Sequence, residues 1–317
     1  MFDVIAIGEL LIDFAPVSLD GDGYPTMAAH PGGAPANFLA ALTKYGCKTA
    51  LLGKVGKDTF GDLLLATLQK AGIETRGMVR TDSVFTTLAF VTFDEGGDRK
   101  FAFARKPGAD TCISFEELDL SLIEEAKVLH FGTLSLTHEP ARTATYKAVA
   151  YAKAQGKLIT YDPNLRKPLW DSMEEAKTQL LWGLSQADVV KISDEEVDFH
   201  FGLGVTEGAK HILDAYGVKL VFVTCGANGC FFKNKTAEGH VPSLQNIKVV
   251  DTTGAGDIFG GSAVSQLLRY DKNPEDLNEA ELRQIVSFAC TAAGLSTTKS
   301  GGISSVPDMK QVLEAIK

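Results

Sequence analysis

Two aspartates on either side of a small-residue turn are the side chains whose spacing most directly indicates chemistry. The run Asp251–Asp257 reads DTTGAGD and follows the β-like pair Val249–Val250. Apolar residues recur at helical spacing after it, which predicts that a helix begins at the turn. Backbone amides at a helix N-terminus attract anions, and small side chains let a phosphate approach them closely.

Asp257 would place a carboxylate directly beside such an anion. Repulsion between the carboxylate and the anion is unfavourable, so this position suggests that the carboxylate takes part in the reaction. Phosphoryl transfer needs a base that accepts the proton of the attacking hydroxyl. We therefore interpret Asp257 as a general base and Gly254, Ala255 and Gly256 as an anion-binding turn. The plainer alternative is an aspartate that caps a helix after a tight turn.

Two segments near the N-terminus carry groups that suit a small polar ligand. Residues 31–37 read PGGAPAN and lead into a predicted helix. Gly32 and Gly33 let a ligand approach the backbone, and Asn37 offers both a donor and an acceptor; the alternative is an ordinary tight turn. Asp13, at the end of the first strand, could bind two sugar hydroxyls or simply form a turn.

Two later strand ends show the same kind of pattern. After the predicted strand Leu158–Tyr161, Asn164 and Arg166 could orient a phosphate or substrate oxygens, or lie solvated in a turn. Residues 224–229 read TCGANG, and their glycines could lie beside a nucleotide. Taken alone, that second pattern has little specificity.

The run 191–196, which reads KISDEE, ends another strand and begins a helix. Ser193 and Glu196 have capping-box spacing, so Glu196 is expected to be structural. Glu195 could instead face the cleft and hold Mg²⁺ through water, because Mg²⁺ keeps much of its hydration shell.

Short β-rich runs alternate with helical patterns along most of the chain. Predicted strands occupy Val4–Ile7, Ala50–Leu52, Val128–Phe131, Leu158–Tyr161, Val189–Ile192 and Leu220–Thr224. Predicted helices occupy about 35–45, 59–71, 139–155, 173–183 and 206–216. This alternation predicts an α/β fold with a doubly wound, mostly parallel sheet, and ligands bind such sheets beyond the strand C-termini.

Residues 13–32 and 84–111 depart from this alternation. Thr86–Phe93 and Lys100–Arg105 alternate like half-exposed strands and are joined by the turn-rich Asp94–Asp98. We expect a small projecting sheet, which either acts as a lid that excludes water or forms only an edge hairpin. No linker divides the chain, so residues 1–317 are predicted to form a single domain.

Composition excludes several classes of protein. The net charge of −9, with no offsetting Lys/Arg run, argues against nucleic-acid and anionic-membrane partners. The five cysteines are scattered without CxxC or zinc-finger spacing, and no signal peptide or membrane-spanning run is evident, so we expect a cytoplasmic protein with reduced thiols. Walker A, Rossmann, protein-kinase, GxSxG and HExxH motifs are absent from the sequence.

Together these segments resemble the ribokinase/PfkB family of carbohydrate kinases. The resemblance rests on GELLID at 8–13, GGAPAN at 32–37 and DTTGAGD at 251–257. Within the family it is closest to fructokinases, through FARKPGAD at 103–110 and DPNLR at 162–166. It implies a ribokinase-like three-layer α/β/α core with a mostly parallel sheet and a small β-sheet lid.

The resemblance also implies ATP-dependent phosphorylation of a sugar's primary hydroxyl, with D-fructose to fructose 6-phosphate as the best match. Asp257 would be the base and residues 254–256 the anion hole. The implied substrate contacts are Asp13, Gly32, Gly33, Asn37, Arg105 and Arg166. The implied nucleotide contacts are Asn164, Lys191, Thr224, Gly226 and Gly229. The implied metal positions are Glu195 for Mg²⁺ and, for a monovalent cation such as K⁺, Asp251, Thr253, Gly301 and Ser305.

Two departures and several alternatives accompany this resemblance. Ser193 replaces a common Asn, and Cys225 replaces a common Leu or Lys, although neither change removes a catalytic group. The pair Arg105 and Arg166 would suit a carboxylate-bearing sugar such as 2-keto-3-deoxygluconate, and ribose or a riboside is another candidate. A non-catalytic sugar sensor is a further alternative, and the edges of the lid could mediate a homodimer.

Overall fold

The computed structural model describes residues 1–93 and 99–316. The strands are β1 Phe2–Ile7, β2 Leu11–Leu19, β3 Pro25–Gly32, β4 Thr49–Gly56, β5 Met78–Thr81, β6 Leu88–Phe93, β7 Arg99–Ala104, β8 Ala126–Gly132, β9 Leu158–Asp162, β10 Val189–Ser193, β11 Leu220–Thr224, β12 Cys230–Asn234 and β13 Glu238–Val241. The helices are α1 Ala34–Lys44, α2 Thr59–Ala71, α3 Leu120–Glu125, α4 Ala141–Ala154, α5 Met173–Gln186, α6 Asp194–Phe201, α7 Val205–Tyr216, α8 Ala255–Leu267, α9 Glu279–Ser296 and α10 Met309–Ala315. Within these described residues, none of the helices combines the length and the apolar character that crossing a bilayer requires.

Nine strands form a central sheet in the order β13-β12-β11-β10-β9-β8-β1-β4-β5. Neighbours from β11 to β5 in that order pair in parallel, whereas β12 and β13 extend one edge in antiparallel fashion. Every residue of β4 is buried, as expected of a parallel strand covered on both faces. The six strands and five helices predicted from the sequence are confirmed, with small differences at their ends.

Helices cover both faces of this sheet. Ile5 and Ile7 of β1 point into a core shared with α3–α7. Val4 and Ala6 point to the opposite face, where the core includes residues of α1, α2 and α8–α10. Alternate side chains of one strand therefore enter two separate cores, and the predicted three-layer α/β/α architecture is confirmed.

A second, four-stranded sheet has the order β3-β2-β6-β7. β2 pairs antiparallel with β3 and parallel with β6, and β6 pairs antiparallel with β7. β2 begins with the buried Leu11 and Ile12 and ends with Val17 and Leu19, which are 67% and 69% exposed. The predicted small sheet is thus present, while its expected turn at Asp94–Asp98 lies outside the described residues. Its action as a lid stays a prediction.

Several features of the fold were not expected from the sequence. Val249–Val250 is not part of a strand; both side chains are more than half exposed, and the amide of Val250 donates to the Thr297 carbonyl at 2.8 Å. A contact with the C-terminal end of α9, not a sheet, therefore holds the segment that precedes the 251–257 turn. Helix α9 was missed, although Asn278 and Glu281 form a capping box at its start.

Candidate active site at the carboxyl ends of the central strands

The predicted anion-binding turn does open helix α8. Gly254 is the N-cap with a φ of 75°, a left-handed conformation that glycine adopts without strain. The Ala255 amide donates to the Thr252 carbonyl at 3.2 Å and is used inside the turn. In the part of the chain that the structure describes, the Gly254 and Gly256 amides have no protein acceptor. These two amides, rather than all three, are available to an anion at the helix N-terminus.

Asp257 lies in the first turn of α8 and is 8% exposed. Its Oδ2 accepts a hydrogen bond from Asn37 Nδ2 at 2.9 Å, and its Oδ1 lies 3.5 Å from Asn164 Nδ2. Burial raises the pKa of Asp257, while the Asn37 hydrogen bond and the charges of Lys191 and Arg166 act in the opposite direction. A carboxylate that is buried, oriented and more basic than usual is suited to accept a proton.

Asn37 is positioned by the start of helix α1. The helix follows Gly33, where a Cβ would lie 2.6 Å from the Glu9 carbonyl oxygen, so only glycine fits. The Oδ1 atom of Asn37 is buried and has no hydrogen-bond partner among the described residues. A buried oxygen without a partner costs free energy, and a sugar hydroxyl would supply the missing donor.

Asp13 of β2 pairs with His30 of β3, and its side chain lies close to Gly32, where a Cβ would come within 2.4 Å of the Asp13 Oδ2. Burial raises the pKa of Asp13 to about 6, although the charge of Arg166 lowers it. The exposed Arg166 also lowers the pKa of Asp257, so its charge acts on both carboxylates. The structure thus brings together four of the predicted substrate and catalytic side chains: Asp13, Asn37, Arg166 and Asp257.

Lys191 lies beside the anion-binding turn. A Cβ added to Gly256 would lie 2.9 Å from the Lys191 Nζ, so the ammonium group directly faces that glycine. The same Nζ makes an ion pair with Asp162 Oδ2 at 3.0 Å. Burial raises the pKa of Asp162 to about 6, even though Lys191 lowers it. Lys191 therefore places a positive charge where a phosphate would meet the helix N-terminus.

The capping box predicted at Ser193 and Glu196 is confirmed at the start of α6. Glu196 Oε1 also accepts the Leu165 amide at 2.7 Å, and the Glu196 charge acts on Asp162 and Lys191. Glu195 is exposed, and its expected place in the Mg²⁺ environment stays a prediction. Successive residues of a helix point about 100° apart, and Glu196 occupies the buried direction. Of the two glutamates, Glu196 is therefore the one whose charge acts on the Lys191–Asp162 pair.

The predicted nucleotide contacts follow β11 in sequence. The Thr224 hydroxyl lies 3.4 Å from the Ile192 carbonyl oxygen, which links the ends of β11 and β10. Gly226 and Gly229 have φ angles of 53° and 97°. A Cβ at Gly229 would come within 2.1 Å of the Val241 carbonyl oxygen, so the turn into β12 requires glycine there. A role for these residues in nucleotide binding stays a prediction.

Asp251 connects two loops that contain the predicted monovalent-cation positions. Its Oδ1 accepts bonds from the Thr253 amide at 2.9 Å and hydroxyl at 2.7 Å, and its Oδ2 accepts the Gly301 amide at 3.0 Å. In the second loop, the buried Ser305 hydroxyl donates to the Gly302 carbonyl at 2.8 Å. The structure therefore brings the positions 251, 253 and 301 together.

Arg105, which the resemblance assigns to the sugar, has internal partners, and its contact with the sugar stays a prediction. Its Nε and Nη2 lie 2.8 Å and 2.7 Å from Asp110 Oδ2. Its Nη1 donates to the Thr137 hydroxyl at 2.8 Å, and Nη2 also donates to the Leu134 carbonyl at 2.9 Å. All three guanidinium nitrogens thus have internal partners, and the side chain is 1% exposed.

Comparison with known proteins identifies the family. Residues 1–309 match the profile of the pfkB family carbohydrate kinases. The chain belongs to this family of carbohydrate kinases. It is 41% identical to Fructokinase-2 of Solanum lycopersicum, over 99% of this chain and 96% of that protein. The sequence-based resemblance to the family is confirmed.

Solved structures of carbohydrate kinases have the same fold. The ATP-bound fructokinase of Xylella fastidiosa superimposes with a TM-score of 0.91 at 30% identity, covering 100% of this chain and 98% of that one. The fructokinase of Vibrio cholerae O395 with bound fructose, ADP and calcium gives a TM-score of 0.88 at 29% identity, covering 100% and 99%. The ribokinase-like architecture expected from the sequence is confirmed.

Two further residues of this carbohydrate kinase line the pocket around Asp257, and sequence reasoning missed them as site residues. Glu9 Oε1 accepts the Ala34 amide at the start of α1 at 2.8 Å, and burial raises the pKa of Glu9 to about 7. His130 stacks on Phe38 with 3.7 Å between ring centroids, and burial and Lys191 lower its pKa to about 3. The only sequence signal for either residue was its place near the end of a strand.

Proposed function

We propose that this protein is an ATP-dependent fructokinase, which transfers the γ-phosphoryl group of ATP to the primary hydroxyl of D-fructose and forms fructose 6-phosphate. The observation that carries the proposal is the position of Asp257, whose buried carboxylate lies in the first turn of α8 beside the Gly254 and Gly256 amides. Membership of the pfkB family supports sugar phosphorylation. The fructokinase relatives and the fructose- and ADP-bound neighbour support fructose and ATP.

In this mechanism Asp257 accepts the proton of the sugar hydroxyl as that oxygen attacks the phosphorus. The hydrogen bond from Asn37 holds the carboxylate in place during the transfer. The Gly254 and Gly256 amides and the Lys191 ammonium then stabilise negative charge on the transferring group. Asp13 binds sugar hydroxyls, and the four-stranded sheet covers the sugar and excludes water.

Metal ions enter the proposal in two places. Within the described residues no cluster of three or more His, Cys, Asp or Glu side chains could hold a metal, which fits an Mg²⁺ carried mainly by ATP phosphates and water. Such an ion would neutralise phosphate charge, with the exposed Glu195 or the buried Glu196 as the glutamate that contacts its water shell. A monovalent cation such as K⁺ would lie where Asp251 joins the loops of Thr253 and Gly301, with Ser305 nearby in sequence.

Location and assembly are also part of the proposal. The five cysteines are free thiols, which supports a reducing cytoplasmic compartment. The exposed side chains of Val17, Leu19 and Tyr24 at the end of the β2–β3 hairpin would be covered in a homodimer. Sedimentation of wild type and Leu19→Lys tests this arrangement: we expect a dimer that the substitution dissociates, and a monomeric wild type would contradict it.

The functional test couples ADP production to a sugar panel, with Mg·ATP, wild type and Asp257→Asn. We expect turnover of fructose, reduced by about a hundredfold or more in the variant, because general-base catalysis contributes about 10²–10⁴. Turnover of 2-keto-3-deoxygluconate or a riboside alone would retain the mechanism and change the substrate. Stoichiometric sugar binding without ADP formation would instead indicate a sensor.

A further inference from the structure

Two cations of the cleft form ion pairs with carboxylates. Lys191 makes an ion pair with Asp162 at 3.0 Å, and Arg105 makes one with Asp110 at 2.7 Å. The exposed Arg166 acts electrostatically on Asp13 and Asp257. A cation that is already paired with a buried carboxylate offers less attraction to an anionic substrate than an unpaired one.

The Arg105–Asp110 pair is held rigidly in this arrangement. Its side chains are only 1% and 2% exposed, and the Thr87 hydroxyl donates to the second oxygen of Asp110. Gly108 makes room for the cluster, because a Cβ there would lie 1.8 Å from the Thr87 Oγ1 and 3.0 Å from the Arg105 Cγ. Buried charge pairs interact strongly, since water does not screen them.

Arg105 also lies close to the substrate pocket. Its Nη2 donates to the carbonyl of Leu134, which lines the pocket around Asp257. On its other side Arg105 lines a cavity of about 230 Å³ together with Phe103, Lys106 and His138. The net charge of Arg105 and its partner therefore affects the binding of any sugar that extends from Asp257 toward the small sheet.

We propose that Asp110 makes this site selective for uncharged sugars by neutralising Arg105. The inference rests on the proposed sugar-kinase function and specifies its substrate class. Without Asp110, the guanidinium would be an uncompensated buried cation able to attract a sugar carboxylate. With Asp110 in place, Arg105 is already paired, and the negative charge of Asp110 repels the carboxylate of the sugar. Both effects oppose binding of an acidic sugar.

The test compares wild type and Asp110→Asn with D-fructose and with 2-keto-3-deoxygluconate. Asn keeps the shape of the side chain and an oxygen that can accept from Thr87, while it removes the charge. We expect the ratio of kcat/KM for the acid to that for fructose to rise at least about tenfold, mainly through a lower KM for the acid. An unchanged ratio in a folded variant would overturn the proposal.

Two further variants separate this effect from a general loss of charge. Glu175→Gln is the matched control, because Glu175 pairs with Arg142, which binds the carbonyls of Leu136 and Thr137 in the segment that also binds Arg105. It should leave the ratio unchanged. Adding Arg105→Gln to Asp110→Asn should abolish the gain for the acid; a persistent gain would show that the effect does not act through Arg105.

A measurement on the wild type covers the case in which Asp110→Asn does not fold. We expect the uncharged methyl ester of the sugar acid to inhibit fructose phosphorylation more strongly than the acid itself. Equal or stronger inhibition by the acid would contradict the proposal. If the wild type phosphorylates no sugar, the proposed function fails, and calorimetric binding of the ester and the acid still tests Asp110 separately.

Discussion

The central sheet and the small sheet use their charged groups in different ways. At the ends of the central strands, Lys191 and Asp162 form a buried ion pair. In the small sheet, Asp13 is half-buried and, within the described part of the chain, has no ion-pair partner. Charged side chains of the central sheet thus stabilise each other, whereas the Asp13 carboxylate is available to bind a ligand. We infer that the central sheet determines the rate of the chemical step and the small sheet determines affinity for the sugar.

The largest effect is expected on the central-sheet side, from Lys191→Met. The variant leaves the Asp162 carboxylate buried without its cation, which should lower the free energy of unfolding by about 3–5 kcal/mol. Urea denaturation at neutral pH measures this loss. Lys219→Met is the control, because the Lys219–Asp188 pair is partly exposed and should contribute at most about 1 kcal/mol. If both variants lost the same free energy of unfolding, the expected difference between buried and exposed ion pairs would be wrong.

Glu9, at the junction of the two sheets, should give a pH-dependent effect of intermediate size. Burial raises its pKa from 4.5 to about 7, so the folded state retains a proton that the unfolded state loses between these values. The free energy of unfolding should therefore fall as pH rises through this window, by about 3 kcal/mol.

Glu9→Gln keeps an oxygen for the Ala34 amide and does not titrate. The difference between the variant and wild type should grow from pH 4.5 to 7 in favour of the variant and stay constant above it. Urea denaturation across pH 4.5–8 tests this expectation. If the free energies of unfolding of the two proteins changed equally with pH, the pH dependence would not come from Glu9.

The smallest effect is expected in the small sheet, from Asp13→Asn. Loss of the carboxylate should raise the KM for fructose about tenfold and change kcat by less than about threefold, because the interaction is with the sugar rather than the transferring group. In wild type the KM should rise as pH falls below about 6, where Asp13 becomes protonated.

Steady-state kinetics of Asp13→Asn beside Asp257→Asn measures the contrast directly. Asp22→Asn, an exposed position in the turn of the same hairpin, should behave like wild type. If Asp13→Asn lowered kcat as strongly as Asp257→Asn does, the division of roles between the two sheets would be wrong.

Much of the fold could be predicted because its signals are local. Apolar runs such as Leu220–Thr224 and the alternating pattern of Thr86–Phe93 reflect the burial of one or both faces of a strand. The β-like pair Val249–Val250 forms no strand, since two β-branched residues suit a strand only when a neighbouring strand is available to pair with them. That pairing depends on the tertiary fold, and here the partner is Thr297 at the end of α9.

The candidate site likewise has parts that could be predicted from local sequence and parts that could not. The helix start at Gly254 and the glycine at position 33 follow from local geometry and could be predicted. The internal partners of Arg105 and the burial of Glu196 rather than Glu195 depend on which groups surround each side chain after folding. The sequence pattern indicated candidate segments without showing which side chains face each other.

The hydrogen bond between Asn37 and Asp257 joins residues that are 220 positions apart, and Gly302 packs against the same Asn37 amide. During synthesis on the ribosome, Asn37 therefore emerges long before the groups that complete its surroundings. A nascent chain that stops before the segment 254–302 contains neither the base nor the backbone amides that bind phosphate. Phosphoryl transfer at this site can thus begin only after the chain has been synthesised as far as residue 302, so shorter nascent chains cannot consume ATP there.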